Sequence, residues 1–124
     1  MTSSSRKVVL TANSPQPIGP YSQAVSTGSL VFLSGSIGVD PKTKAFAGED
    51  VETQTDQTLK NMREVLIAAG SSLEHVVKTN VFLADMADFP KFNAVYAKYF
   101  PNKPPARSTV AVKGTVSDGQ VCRN

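Results

Sequence analysis

Arg107 is the side chain whose type and position most invite chemistry. It follows Lys103-Pro104-Pro105-Ala106 and opens a β-rich run, so the prolines stiffen its approach and leave the guanidinium little freedom to lose. A planar fork at a rigid position suits a carboxylate, which it grips with two parallel hydrogen bonds. Position alone serves a surface arginine at a strand end equally well. The other candidates are weaker. One histidine, His75, and one cysteine, Cys122, cannot make a Cys/His zinc site, and no metal is expected. His75 stands where a strand pattern begins and reads as an ordinary strand-end residue. Gly28, Gly35 and Gly38 fit neither the GxxxxGK[ST] nor the GxGxxG spacing, so no phosphate loop is predicted.

The elements that must hold Arg107 belong to a chain of 124 residues, with 40% hydrophobic and 19% charged side chains. That is enough to build a core, and the length predicts one domain over residues 1–124. No apolar run approaches the roughly 20 residues of a membrane span, the best being Leu30-Val-Phe-Leu33. Met1–Leu10 lacks the long apolar stretch of a signal peptide. The reading is cytosolic, with a mitochondrial location as the alternative because no acid occurs before Asp40. A lone cysteine makes no internal disulfide, which fits a reducing compartment. The net charge of +3 is uneven: residues 40–90 hold nine of the ten acids, whereas from Lys91 onward there are six bases and one acid, Asp118. A basic region attracts nucleic acid, phosphate or small carboxylates, but solvated surface lysines read the same way.

Residues 13–20 (NSPQPIGP) form an extended loop that cannot enter a helix. Tyr21–Ser26 and Leu30–Ser36 read as a hairpin around Thr27-Gly28-Ser29. Glu49–Ala69 is the longest helical pattern, with Asp50 as N-cap, Gly70 as stop, and Gln54, Lys60, Asn61 and Glu64 on its polar face. His75–Ala84 reads as a strand with Val77, Thr79, Val81 and Leu83 on one face. Asp88 caps a second helix striped by Phe89, Phe92, Val95, Tyr96 and Tyr99, ended by Pro101, Pro104 and Pro105. Arg107–Lys113 is a further strand. The fold class is therefore α+β, with two helices on one face of a mostly antiparallel sheet. The bare second face calls for oligomerisation.

Five motifs then occur in order: Gly19-Pro20-Tyr21-Ser22-Gln23-Ala24, Leu33-Ser34-Gly35-Ser36-Ile37, Val77-Lys78-Thr79-Asn80-Val81-Phe82-Leu83, Phe92-Asn93-Ala94-Val95-Tyr96 and Pro105-Ala106-Arg107-Ser108-Thr109-Val110. Together, over roughly residues 8–112, the chain resembles the RidA family, also called YjgF. The resemblance implies a chorismate-mutase-like fold and a homotrimer whose sheets form a central barrel with the helices outside. It implies hydrolysis of reactive 2-imino acids such as 2-iminobutanoate and 2-iminopropanoate, or their enamine tautomers, to 2-oxo acids and ammonia, with no cofactor. It also implies sites in clefts between subunits. In that scheme Arg107 grips the substrate carboxylate, Thr109 supplies backbone hydrogen bonds near the reacting carbon, and Gly35 offers a backbone amide. Tyr21 shapes the pocket and offers its hydroxyl, Asn93 contributes from the second helix, and Ser34 and Ile37 line the site.

Residues 113–124 depart from the pattern. The family continues to a Leu-Pro segment and a final strand carrying a water-activating glutamate, and in register from Arg107 that place falls at Cys122. The resemblance therefore predicts a final strand that is missing and a tail that is mobile or folds into a short hairpin around Ser117-Asp118-Gly119. Three functional readings follow: an imine deaminase with reduced turnover, a non-catalytic binder of 2-oxo acids, and an RNA-directed ribonuclease or translation inhibitor. The last has only the basic C-terminal third behind it. No aromatic stacking motif and no histidine pair for RNA cleavage is present.

Overall fold

The structure, a computed structural model, describes residues 6–114 and the backbone of 122 and 123. Six strands and two helices follow in the order β1 (Lys7–Val9), β2 (Ala24–Thr27), β3 (Leu30–Leu33), α1 (Val51–Ala68), β4 (Lys78–Leu83), α2 (Phe89–Tyr99), β5 (Ala106–Ala111) and β6 (Cys122–Arg123). The β2–β3 turn closes on two residues because Gly28 adopts a φ of 57°, a left-handed conformation that glycine enters without strain. The ends of α1 obey local chemistry. Asp50 accepts from the Thr53 backbone N–H at 2.9 Å, and that bond, reinforced by the Thr53 hydroxyl, holds its carboxyl below the usual range. At the other end Gly70, at φ +83°, lets Ser71 N–H reach back to the Leu66 carbonyl at 2.8 Å.

The strands form two three-stranded sheets, β1-β2-β3 and β5-β4-β6. The first is antiparallel throughout; in the second, β4 and β5 run parallel, with α2 as the crossover, and β6 is antiparallel to β4. Alternation along each strand sends one set of side chains toward the helices. Val9 and Ala24 meet Val65 of α1 and Ala69 at its end, while Val81 and Leu83 meet Leu59, Met62 and Leu66 of α1, Phe92 and Tyr96 of α2, and Phe100 just past α2. The two helices thus cover one side, as the α+β reading expects. Within one chain the described strands do not close into a barrel. The opposite side carries the cross-strand row Val8–Val25–Phe32 and the pair Phe82–Val110, with Val8 56%, Phe32 60% and Val110 47% exposed.

Several elements differ from the sequence reading. β1 was not foreseen: three residues carry too little pattern to announce a strand, and it exists because β2 offers a free edge. His75 is not at a strand end. It closes a 3₁₀ turn, Leu73–His75, with its Nδ1 2.8 Å from the Ser72 hydroxyl, and β4 begins three residues later. Asp88 precedes α2 without a side-chain capping bond; Asp85 instead accepts from Ala87 N–H at 2.9 Å and caps the short turn ahead of the helix. Gln54 and Asn61, read as part of the polar face of α1, are buried. A final strand is present as well: the backbone of Cys122 and Arg123 pairs with Leu83 and Phe82, so that edge of β4 is covered there. Asp118 and the hairpin expected around it lie outside the described residues. No helix among the described residues is long and apolar enough to cross a membrane.

Candidate functional site

The proline-rich loop before β2 has few backbone partners of its own, so side chains must satisfy it. Gln23 does so from a buried position. Its Oε1 accepts from Thr11 N–H at 2.7 Å, and its Nε2 donates toward the carbonyls of Pro15 at 2.9 Å, Thr11 at 3.1 Å and Ser14 at 3.3 Å. The loop then tightens where Tyr21 N–H meets the Gly19 carbonyl at 2.8 Å. The Tyr21 phenol oxygen accepts from Ile18 N–H at 3.2 Å, which fixes the exposed ring and leaves its own hydrogen uncommitted among the described residues.

The segment after β3 is held in a similar way. Ser34 donates its hydroxyl to the Ser22 carbonyl and its N–H to the Gln23 carbonyl at 3.0 Å. Gly35 follows outside the ladder, and its N–H finds no acceptor among the described residues. Asn61 of α1 then donates to the carbonyls of Ile37 at 3.0 Å and Val39 at 2.8 Å, while its own carbonyl accepts from Gln57 at 2.8 Å. Between those two anchors, Gly38 lies directly on the helix backbone. A Cβ there would stand 2.7 Å from the Gln54 carbonyl oxygen and 2.8 Å from its Cα, so only glycine fits. These supports surround a cavity of about 550 Å³. Tyr21, Ser34, Gly35 and Ile37 line it, with Pro17, Ile18, Val39 and Phe46 supplying apolar wall.

Arg107, Thr109 and Asn93 are not among the residues lining that cavity. They gather around the second sheet. Arg107 pairs in register with Thr79, and Thr109 with Val81, so Arg107 and Thr109 share the face that α2 covers. The guanidinium carbon of Arg107 lies 4.7 Å from the Tyr96 ring centroid, 5.4 Å from Phe89 and 5.5 Å from Phe92. A cation over ring faces is attracted by about 0.5–2 kcal/mol, the more so as it is desolvated. Half-buried in this seat, Arg107 meets no carboxylate and no hydrogen-bond acceptor among the described residues, so its fork of N–H donors is open to a ligand. This corrects the picture of a projecting strand-end arginine. Two residues on, the Thr109 hydroxyl oxygen is buried without a hydrogen-bond partner among the described residues. Asn93 is half-buried on α2, four residues from Phe89 and three from Tyr96, hence beside the stripe that seats Arg107.

The sequence-predicted residues therefore fall into two groups in one chain: Tyr21, Ser34, Gly35 and Ile37 at the cavity, and Arg107, Thr109 and Asn93 at the seat. Sequence reasoning missed the residues that hold them. In the sequence Gln23 sits inside a motif without a role, Asn61 falls on the polar face of a helical wheel, and Phe89, Phe92 and Tyr96 show only as a core stripe. For the aromatic residues no local signal exists, because their use depends on a strand pairing. Among the described residues no three His, Cys, Asp or Glu side chains come together to hold a metal.

The model of the family described as Endoribonuclease L-PSP matches residues 11–121. The chain is 53% identical over 107 residues to Reactive Intermediate Deaminase A, chloroplastic, of Arabidopsis thaliana, covering 86% of this chain and 57% of that protein. It is 45% identical over 112 residues to the human 2-iminobutanoate/2-iminopropanoate deaminase, covering 90% of this chain and 82% of that one. The chain belongs to the RidA family. Its fold is that of the family's solved members: E. coli TdcF with bound serine superposes with a TM-score of 0.89 at 36% identity, over 94% of this chain and 93% of that one.

Proposed function

We propose that this chain binds small 2-imino acids and hydrolyses them to 2-oxo acids and ammonia, in a cleft assembled from two copies of the chain. The observation that carries the reading is Arg107, a half-buried guanidinium seated on three rings with no carboxylate partner among the described residues. A small acid supplies the missing partner. The division of the site supports the two-copy cleft, since the cavity with Tyr21 and Gly35 and the seat with Arg107 stay separate within one chain. The bare apolar rows Val8–Val25–Phe32 and Phe82–Val110 supply a surface for association, and a homotrimer is the assembly expected. Light scattering that gave a stable monomer at micromolar concentration would remove the shared cleft.

The chemistry asks little of the protein. An imine carbon is already electrophilic, so holding it beside a water supplies most of what is needed. Arg107 anchors the carboxylate. The N–H of Gly35 and the hydroxyl hydrogen of Tyr21, both without an acceptor among the described residues, face the cavity side of the cleft. Thr109 and Asn93 approach the reacting carbon from the Arg107 side. Water adds to the C=N carbon, its proton passes to nitrogen, and the resulting tetrahedral amino alcohol expels ammonia to leave the 2-oxo acid. No cofactor enters. The register of Cys122, where the family's glutamate is expected, offers no carboxylate, and general acid–base help is worth about 10²–10⁴ in rate. Turnover is therefore expected to be slow beside intact ligand binding.

The test is ammonia and 2-oxobutanoate release when a threonine dehydratase feeds its imine product to this protein. A rate above spontaneous hydrolysis, lost in Arg107→Ala, supports the deaminase. Binding of 2-oxobutanoate with no acceleration leaves a carboxylate binder, the reading favoured by the missing glutamate. A ribonuclease finds less support: the one histidine, His75, is exposed and lies 2.8 Å from the Ser72 hydroxyl, and the chain has no histidine pair for RNA cleavage.

A further inference from the structure

The aromatic seat contains a detail that packing alone does not require. Five rings follow one another along and just past α2: Phe89, Phe92, Tyr96, Tyr99 and Phe100. Tyr99 is engaged with Asp56 of α1, and three of the other four are phenylalanine. The remaining tyrosine, Tyr96, is the ring nearest the Arg107 guanidinium, at 4.7 Å against 5.4 and 5.5 Å for the others in contact with it. Its hydroxyl lies 2.7 Å from Thr79 Oγ1, a buried hydrogen bond between α2 and β4. Thr79 is in turn the register partner of Arg107 across the parallel β4–β5 ladder. Strand β4 thus pins the long axis of the ring on which the neighbouring strand rests its arginine.

We infer that Thr79 and Tyr96 are positioning residues for Arg107, setting how its fork is presented to a carboxylate-bearing ligand. The inference rests on the reading of Arg107 as carboxylate anchor. Neither residue touches the ligand. Each acts through the place of a ring face. A guanidinium without an acid partner among the described residues has the rings to orient it, so a tilt of Tyr96 misaims both hydrogen bonds at once. The arrangement keeps the fork free, where an ion pair with a protein carboxylate would occupy it.

Thr79→Val and Tyr96→Phe each delete the bond while conserving shape, and the pair can be combined. Two readouts are needed. The first is the NMR resonance of the Arg107 Nε–H proton in the ligand-free protein, displaced by the ring currents beneath it. Both variants are expected to move it toward the position of a free arginine, whatever the protein's activity. The second is calorimetric affinity for 2-oxobutanoate beside its uncharged analogue 2-oxobutanamide. Each single variant is expected to weaken the carboxylate about five-fold, the size of one net hydrogen bond, with the double variant no worse than either single one. The amide should bind as before. A merely structural bond would lower the melting temperature while leaving the resonance in place, or would weaken acid and amide alike; either result overturns the inference. Arg107→Lys separates the two levels. If it leaves 2-oxobutanoate affinity intact, the anchor reading falls; if it removes binding while Thr79→Val and Tyr96→Phe change neither readout, only the positioning role falls.

Discussion

The two halves of the candidate site are built on opposite principles. Around the cavity, the proposed roles fall to backbone groups and small side chains, and buried amides hold them: Gln23 stitches the loop before β2, and Asn61 stitches the segment after β3. Around Arg107, the proposed role falls to one charge, and hydrocarbon holds it. The difference follows from what each half must offer. A loop that presents N–H groups needs every other polar group satisfied, because an unpaired buried one costs about 1–3 kcal/mol. A charge that must grip an anion needs a support that does not compete for it, and a ring face provides that.

If this contrast holds, damage to the seat should act on affinity and damage to the cavity wall on stability. The largest expected effect is at Arg107. Replacement by Ala or Lys removes a bidentate, charge-assisted pair whose bonds contribute about 1.5–3 kcal/mol each, so 2-oxo acid affinity should fall by about a hundred-fold or more in calorimetric titration. The fold should survive with a modest loss, about 1 kcal/mol, for the stacking given up. Asn61→Ala should do the reverse. It strands the carbonyls of Ile37 and Val39, and chemical denaturation should show a loss of about 2–3 kcal/mol. A normal stability in this variant would mean that the wall is held by something other than Asn61. Gly38→Ala comes next. Its Cβ meets the α1 backbone at 2.7–2.8 Å, and the segment must move, at about 1–2 kcal/mol. Weaker 2-oxobutanoate binding should accompany it, since Ile37 and Gly35 shift with the chain.

The smallest effect lies away from both halves, where the helices clasp each other through Tyr99 and Asp56. Burial, then the Asp56 carboxylate beside it, pushes the Tyr99 phenol from its ordinary 10 to about 12. Burial also works against the Asp56 charge, but the bonds from Tyr99 and Lys60 outweigh it and hold the carboxyl below its usual range. The folded state therefore keeps the phenol proton that the unfolded chain gives up first. The stabilisation is present below pH 10 and is lost as the pH rises toward 12. For Asp56 it is present above the ordinary carboxylate range and fades as the pH falls through the lowered value. Tyr99→Phe should cost about 1 kcal/mol at neutral pH and flatten the alkaline decline in thermal melts. An unchanged alkaline limb would assign that decline to other groups.

What could be read from the residues alone was whatever local chemistry dictates. Asp50 and Gly70 delimit α1 because a cap acceptor and a left-handed residue act within one turn. Gly28 announces the hairpin for the same reason. The motif residues Tyr21, Ser34, Gly35, Asn93 and Arg107 were likewise legible, as types at a spacing. Their grouping was not. That Arg107 lies under α2 depends on β5 pairing parallel to β4, with Arg107 beside Thr79, and no residue near Arg107 in sequence specifies that register. The burial of Gln54 and Asn61 escaped a helical-wheel reading because the segment after β3 folds onto what the wheel treats as the solvent side. A chain can state its caps and turns locally. Which charge rests on which ring, and which amide turns inward, is decided only when elements distant in sequence meet.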